Sequence, residues 1–251
     1  MKPLDKFYQT LHKNEQSYSA GDYCMDNFWS CRPIRQWLEK RKGRSIQILD
    51  VGCGKGIFTR DFVNGVKNRW NIQPTRITGI DLVRSPGDLF AEISSKFEFI
   101  QHDTDGNPLP LPDSSFDFLS CNHVLEHVFE TENLVREFNR VLAPDGICVI
   151  AVPNIAAWVN RIGFLWGNQP LGSELGTDKT TYGFRPVFLQ KRLEAFRPSG
   201  HIRDFTPRGL MDLTTHCGFQ TVGWWKQSHG FVAQLNKWAA RNMAIVLRKA
   251  S

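Results

Sequence analysis

The sequence has few of the features that characterise secreted or membrane-spanning proteins. Its six cysteines form no C-x-x-C pair, and Cys121 and Cys148 lie in apolar runs where a thiol behaves as a small core residue. The longest apolar run, residues 147–158, contains Pro153 and Asn154 and is shorter than the roughly 18–20 residues that span a bilayer. The first residues include no apolar signal segment. We therefore expect a reduced, cytoplasmic protein without a membrane span.

A dense basic stripe and a nucleic-acid recognition motif are also missing. The formal net charge is +6, but its sign changes along the chain. Residues 46–178 carry a net charge of −7, whereas residues 1–45, 179–208 and 209–251 carry +4, +5 and +4. This distribution argues against a nucleic-acid partner. Two interpretations of the basic segments stay open: they flank a site for an anionic ligand, or they form a scattered solvated surface.

The composition is that of one large globular domain, with 251 residues, 41% of them hydrophobic and 22% charged. Apolar β-rich runs predict strands at 45–51, 76–81, 97–101, 116–121, 147–152, near 219–226 and at 243–248. Helical spacing over 57–69 and 132–142 separates several of them, and 143–146 predicts a turn. Buried parallel strands are continuous apolar runs that alternate with helices. We therefore predict a doubly wound, seven-stranded, mostly parallel α/β sheet.

The predicted organisation has four parts. They are an N-terminal helical arm (1–44), an α/β core (45–153), a lid insertion before the last strands (154–205) and a C-terminal completion of the sheet (206–251). The insertion is too long for an ordinary connection, and long connections are commonly lids or binding loops. Its aromatic residues either clamp a substrate or form the insertion's own core. A set of basic residues within and just after it either binds a carboxylate or phosphate or forms a solvated face; the set is Arg185, Lys191, Arg192, Arg197, Arg203 and Arg208.

A glycine-rich loop, DVGCGKG at 50–56, follows the first predicted strand and opens a helix. Glycines there let the backbone turn tightly and approach a ligand closely. Asp81 ends the second predicted strand 25 residues after Gly56, where a doubly wound sheet places an acid against a ribose diol. A Walker A motif is excluded because no Gly-Lys-Ser/Thr follows at the required spacing. The pattern therefore predicts a nucleoside-containing cofactor.

With these motifs the sequence resembles the class I S-adenosylmethionine-dependent methyltransferases, of the small-molecule type related to the ubiquinone-biosynthesis O-methyltransferases. The resemblance is strong over 45–152 and weak over 200–226. The segments that carry it are LDVGCGKG at 49–56, GIDL at 79–82, Asp103 with LPLPDSSFD at 109–117, CNHVLEHV at 121–128 and RVLAPDG at 140–146. The resemblance implies the Rossmann-like methyltransferase fold and S-adenosyl-L-methionine as cofactor. Nicotinamide is the competing ligand of this architecture, but the third and fourth segments do not belong to its pattern.

The resemblance also implies a set of cofactor-binding residues: Asp50, Gly52, Cys53, Gly54, Gly56, Asp81, Leu82, Asp103, Thr104 and Asn122. The loop admits the methionine part of the cofactor, and Asp50 helps to hold its amine directly or through water. Asp81 accepts both ribose hydroxyls, while Leu82 packs on the adenine. Asp103 accepts from the adenine amino group, and the backbone of Asn122 completes the cleft.

The segment His123-Val-Leu-Glu126-His127 admits several interpretations. It fits the H-x-x-E-H pattern of inverse zinc peptidases, with two histidines on one helix face. No third ligand stands out, however, and the segment lies where the methyltransferase pattern expects it. Some ubiquinone O-methyltransferases bind a divalent metal at E-x-x-E-H here, but His123 replaces the first Glu, so we predict no metal. We expect His127 to be the general base, with His123 and His201 as competitors.

These observations predict an S-adenosylmethionine-dependent methyltransferase acting on an oxygen, or less favourably a nitrogen, of a small anionic or aromatic metabolite. The alternatives are a tRNA or protein methyltransferase and a non-catalytic protein that binds the cofactor for regulation. A homodimer stays open. The sequence does not identify the acceptor.

Overall fold

The computed structural model describes residues 25–85, 87–94, 96–176, 182–183, 198–225 and 240–250. More than half of the predicted arm lies outside these residues, as do Arg185, Lys191, Arg192 and Arg197 of the predicted insertion. Within the described part, no helix is long and apolar enough to cross a membrane.

Seven strands form one sheet in the order β3-β2-β1-β4-β5-β7-β6. Their bounds are Ser45–Val51 (β1), Gln73–Asp81 (β2), Phe97–Gln101 (β3), Phe116–Asn122 (β4), Leu142–Pro153 (β5), Phe219–Trp225 (β6) and Asn242–Lys249 (β7). The pairs among β1 to β5 are parallel, and β7 is antiparallel to both β5 and β6. The predicted seven-stranded, mostly parallel sheet is confirmed.

Seven helices accompany the sheet in the described part of the chain. They are Met25–Ser30 (α1), Arg32–Glu39 (α2), Ile57–Trp70 (α3), Phe90–Ile93 (α4), Thr131–Val141 (α5), Trp158–Leu165 (α6) and Pro207–His216 (α7). They cover both faces of the sheet. Because side chains alternate along a strand, β1 sends Ile48 into one apolar cluster and Leu49 into another. The first cluster includes Phe62 of α3, and the second includes Phe138 of α5. The sheet is therefore doubly wound.

The turn predicted at 143–146 is part of β5. Leu142 pairs with Phe116 and Ile147 pairs with Phe118, so the four residues 143–146 of β5 lie opposite the single residue Asp117 of β4. The extra residues bulge out of the ladder. The carbonyl of Asp145 in this bulge accepts hydrogen bonds from Trp37 Nε1 at 2.9 Å and from Arg41 Nη2 at 2.8 Å. The segment forms a bulge instead of a turn because Leu142, the residue that follows α5, is paired with Phe116 of β4.

The strand order reverses between β1 and β4, which pair in parallel with Val51 opposite Cys121. Parallel strands end at the same edge of the sheet, and ligands of doubly wound sheets bind where the order reverses. The loop after β1 and the segment after β4 are therefore neighbours at the carboxyl edge. This is where the sequence places the glycine loop and the histidine segment.

Candidate active site

The glycine loop is bound to β2 and packed against the segment after β4. Gly52 and Gly56 have φ of 73° and 79°, a region that favours glycine. The amides of Gly52 and Cys53 donate to the carbonyl of Ile80 at 2.7 and 3.1 Å. A Cβ on Gly52 would lie 2.0 Å from Val124 Cγ2, so only glycine allows this approach. Burial raises the pKa of the Cys53 thiol well above its ordinary value, which makes it a packing group.

Asp81, predicted to hold the ribose, reaches over this loop from the end of β2. Its Oδ2 accepts from the amide of Gly54 at 2.8 Å, and its Oδ1 accepts from the amide of Leu82 at 2.7 Å. The two backbone bonds therefore orient the group. Leu82 is half-buried beside it.

Asp50 lies beneath the loop and is 2% exposed. Its carboxylate accepts hydrogen bonds from the hydroxyls of Thr59 on α3 and Ser120 on β4, the latter at 2.7 Å. Burial raises the pKa of Asp50 to about 6, although both hydrogen bonds act in the opposite direction. The structure thus gives Asp50 a role in joining three elements. Its contact with the cofactor amine stays a prediction.

The remaining predicted cofactor residues lie at the ends of β3 and β4. Asp103 and Thr104 follow β3 and are half-buried, and Asp103 Oδ1 accepts from the amide of Asp105 at 3.0 Å. Asn122 ends β4 and is 5% exposed. Within the described part of the chain, neither Oδ1 nor Nδ2 of Asn122 has a hydrogen-bond partner. Buried amides are normally paired, so this side chain indicates a missing polar ligand. The sequence analysis had considered only its backbone.

Three histidines surround one buried carboxylate just after β4. Glu126 is fully buried, with Oε1 3.1 Å from His123 Nδ1 and 3.9 Å from His201 Nε2. The rings of His127 and His201 have centroids 4.9 Å apart. Burial alone raises the pKa of Glu126, but the hydrogen bond from His123 and the nearby imidazoles outweigh it and lower the pKa. Glu126 is therefore ionised at neutral pH.

The backbone of this segment differs from the predicted helix. Only a single 3₁₀ turn, Leu125–His127, follows β4, and His123 has φ of 57°. His123 and His127 consequently do not share a helix face, and that prediction is wrong. The helix is prevented because the amide of His123 is still bound to the carbonyl of Ala151 on β5 at 2.8 Å.

His127 has the geometry of a base in a fixed tautomer. Its Nδ1 lies 3.1 Å from the carbonyl oxygen of Gly200. A carbonyl only accepts, so Nδ1 carries the proton and Nε2 carries the lone pair in the neutral ring. Burial lowers the pKa of His127 more than the charge of Glu126 raises it. The imidazole is therefore neutral at pH 7 and able to accept a proton at Nε2.

Glu126, His127 and His201 could hold a metal ion, since each offers a ligand atom within 4.8 Å of the others. Imidazole nitrogen and carboxylate oxygen are donors that zinc accepts. The sequence analysis had named His201 only as a competing base, because it lies 74 positions after His127. The absence of a metal stays a prediction.

Within the predicted insertion, the carboxylate of Glu174 fixes the backbone at 199–201, which includes His201 of this cluster. Sequence analysis missed this residue. Glu174 accepts from the amides of Ser199 at 2.7 Å, Gly200 at 2.7 Å and His201 at 3.2 Å. The amides of the next two residues, 202 and 203, donate to the carbonyl of Glu126. No local sequence pattern predicts this role of Glu174, because its partners are 25 to 27 residues away in the sequence.

Other side chains of the insertion do not form a core. Trp158, Phe164, Trp166 and Tyr182 are exposed, between 42% and 71%. The interpretation that they form the insertion's core is therefore wrong for these four. Among the basic residues, Arg203 donates to the carbonyl of Phe129 at 2.8 Å.

A cavity of about 180 Å³ lies beside the histidine cluster. Its walls include His123 after β4, Asn154 after β5, Asn160 on α6, His201 of the insertion, and Arg241 and Asn242 at the start of β7. It adjoins the carboxyl edge at which the glycine loop lies. Its position at the carboxyl edge of the sheet suits the acceptor of a transfer reaction.

Comparison with known proteins agrees with this geometry. Residues 49–150 match a family model described as a methyltransferase domain. A ubiquinone/menaquinone biosynthesis C-methyltransferase of Campylobacter jejuni is 26% identical over 153 residues, which cover 59% of this chain and 62% of that protein. A ubiquinone biosynthesis O-methyltransferase of Pseudomonas aeruginosa is 25% identical over 130 residues, 49% of this chain and 51% of its own.

Solved structures show the same fold. The Burkholderia thailandensis 1,6-didemethyltoxoflavin-N1-methyltransferase, solved with bound S-adenosylhomocysteine, has a TM-score of 0.56 and 18% identity over 99% of this chain and 87% of its own. Residues 49–150 are thus similar to a methyltransferase domain, and the chain has the fold of a solved methyltransferase, in line with the resemblance stated from the sequence. It spans only about half to three fifths of the curated relatives named above.

Proposed function

We propose that this protein transfers the methyl group of S-adenosylmethionine to an oxygen of a small molecule, with His127 as the general base. When bound, the cofactor supplies an electrophilic methyl group on a sulfonium sulfur. The cradle for it consists of the Gly52–Val124 contact, the oriented Asp81 carboxylate and the unpaired amide of Asn122. Asp103, Thr104 and Leu82 line the same edge of the sheet at the ends of β3 and β2.

The observation that carries the choice of oxygen is the hydrogen bond from His127 Nδ1 to the Gly200 carbonyl. A hydroxyl becomes a competent nucleophile when its proton leaves as the new bond forms. In the proposed step the acceptor oxygen bonds to the methyl carbon, the carbon–sulfur bond breaks, and the hydroxyl proton passes to His127 Nε2. The positive charge that leaves the sulfur appears on the protonated imidazole of His127, so the net charge of the system is unchanged.

Two further properties favour a small acceptor. The cavity of about 180 Å³ corresponds to roughly six water volumes, taking about 30 Å³ for each water. Relatives and structural neighbours methylate carbon, oxygen or nitrogen according to their names, so the acceptor atom depends on the chemistry of this site. The imidazole base supports oxygen over carbon and nitrogen.

The test is transfer of radiolabelled methyl groups into a cell extract divided into small-molecule, RNA and protein fractions. We expect label in the small-molecule fraction. His127→Gln should lower kcat by ~10²–10⁴, the usual effect of losing a positioned base, with cofactor affinity unchanged. His216→Gln is the matched control, because His216 is exposed and its ring nitrogen Nε2 lies 3.0 Å from Arg136 Nη2, on α7 and away from the cavity.

The pH profile supplies a second readout. Because the pKa of His127 is lowered from 6.5, the acidic limb of kcat should fall below pH 6.5 and disappear in the Gln variant. Label in RNA or protein would favour those acceptors, and cofactor binding without transfer would favour a regulatory role. A Gln variant with native kcat would remove His127 as the base.

A further inference from the structure

The cavity beside the histidine cluster has walls that are fixed by amides whose hydrogen bonds are already used. Asn160 Nδ2 donates to the carbonyls of Ile155 and Leu171 at 3.0 Å, and its Oδ1 accepts from the amide of Leu171 at 2.8 Å. Asn154 Nδ2 donates to the carbonyl of Ala240 at 2.8 Å. These amides shape the cavity, so recognition of a ligand falls to other groups.

Two groups in the wall have unused hydrogen-bonding capacity. The guanidinium of Arg241 makes no hydrogen bond or ion pair to another described residue. His201 has a side chain 9% exposed, and its buried Nε2 has no hydrogen-bond partner in the described part of the chain. The ring is held by Nδ1, which lies 2.9 Å from the carbonyl of Gly172. A buried nitrogen without a partner indicates a polar ligand atom in the cavity.

The charge of the wall favours an anion. None of the described residues that line the cavity is acidic, and Arg241 adds a permanent positive charge. Glu126 does not line the cavity; its Oε1 lies 3.1 Å from His123 Nδ1 and 3.9 Å from His201 Nε2. A guanidinium binds a carboxylate through two parallel hydrogen bonds.

We propose that the acceptor is a hydroxy acid whose carboxylate binds Arg241, so that Arg241 selects an anionic substrate, while His201 Nε2 accepts a hydrogen bond from a donor group of the same molecule. This inference rests on the proposed function, since it concerns the acceptor cavity of the same site. Arg241 would hold the end of the acceptor that does not react, and the hydroxyl would lie on the side of the cluster that carries His127. Arg241 is then a specificity-determining residue and not part of the proton transfer.

The experiment uses the full chain, radiolabelled S-adenosylmethionine and the small-molecule fraction of a cell extract, with products separated by anion exchange at pH 7. We expect the labelled product to be retained as an anion. Arg241→Gln should raise the half-saturating concentration of extract roughly tenfold to hundredfold, because a charge-assisted pair is lost. Both kcat and cofactor affinity should be unchanged, and Arg241→Lys should recover part of the loss.

Arg44→Gln is the control, because Arg44 is exposed just before β1, at the opposite edge of the sheet. Label in a neutral product, or equal saturation by the wild type and Arg241→Gln, overturns the proposal while leaving the proposed methyl transfer intact. A wild type that labels no small molecule overturns both. Thermal melting and cofactor binding confirm that each variant is folded.

Discussion

Asp81 combines two tasks that are usually considered separately. Its carboxylate binds the amides of Gly54 and Leu82, so it orders the glycine loop, and we predict that it also accepts the hydroxyls of a ribose. If the side chain performs both tasks, its removal should lower the affinity for the ligand even in a variant that stays folded. The distinction between a binding role and a folding role can therefore be tested at this residue.

We expect Asp81→Ala to weaken S-adenosylmethionine binding by about 1–3 kcal/mol, the cost of leaving buried hydroxyls unpaired. Isothermal titration calorimetry measures this directly. Asp117→Ala is a matched control, because Asp117 also accepts a backbone amide, that of Gln47 at 2.8 Å, but lies at the start of β4. Unchanged affinity in a folded Asp81 variant would remove this residue from the site.

Asp50 gives cofactor binding a pH dependence of predictable sign. Because burial raises its pKa to about 6, the carboxyl is ionised above that pH and neutral below it. Only the ionised form attracts an ammonium group. Affinity for S-adenosylhomocysteine, which keeps the amine, should therefore fall as the pH drops below 6, by up to about tenfold per unit.

Calorimetry between pH 5 and 8 tests this dependence, with Asp50→Asn as the comparison. The Asn variant keeps a group of the same shape that can bond Thr59 and Ser120, yet it does not titrate. Its affinity should be constant over this range. An identical pH dependence in both proteins would show that Asp50 only joins β1, α3 and β4.

At the residue scale, motif positions were predictable and long-range partners were not. Asp81 and the glycines lie in segments whose spacing is fixed by one strand–loop–helix unit, so the sequence locates them. Glu174 and Arg241 lie beside residues that are distant from them in the sequence, so no local pattern predicts their positions. The unpaired amide of Asn122 is likewise visible only when its surroundings are known.

Among the elements, the strands were predicted because buried parallel strands are continuous apolar runs. Errors occurred where tertiary contacts override a local signal. The sequence APDG at 143–146 favours a turn, yet the ladder with β4 makes it a bulge. The pattern H-x-x-E-H favours a helix face, yet the bond from His123 to Ala151 extends the sheet by one residue.

The connection between the insertion and the 3₁₀ turn yields a prediction at this scale. Glu174 fixes the turn at 199–201 that presents the Gly200 carbonyl to His127. Glu174→Ala should lower kcat about tenfold, because the base loses its fixed tautomer and orientation. Cofactor affinity should not change, since the glycine loop is bound to β2 instead.

Glu174→Gln should recover part of this activity, because its amide oxygen still accepts backbone hydrogen bonds. Glu98→Ala serves as the control, since Glu98 is exposed on β3 and forms a surface ion pair with Arg76 at 3.4 Å. A shifted acidic limb in the pH profile of kcat would distinguish loss of positioning from a general loss of folded protein. A KM effect alone would contradict the positioning role.

Across the whole molecule, the two substrates are assigned to different stretches of chain. The predicted cofactor residues fall between 50 and 122, inside the matched domain at 49–150. The walls of the acceptor cavity come mostly from residues 153–172, 201 and 241–242. This division explains why the domain match includes the predicted cofactor residues while leaving the acceptor undetermined.

The division predicts the outcome of excising the predicted lid. Ser199 N lies 2.7 Å from the Glu174 carboxylate, so a four-glycine linker can replace residues 175–198 while the amides at 199–201 keep their acceptor. The sequence analysis assigns substrate binding to this insertion, and we therefore expect turnover to fall to background even though the cavity walls at 153–172, 201 and 241–242 remain. Cofactor affinity measured by calorimetry should stay within severalfold, since residues 50–122 are unchanged. A folded excision variant that methylates the native acceptor at normal efficiency would show that residues 175–198 do not determine specificity.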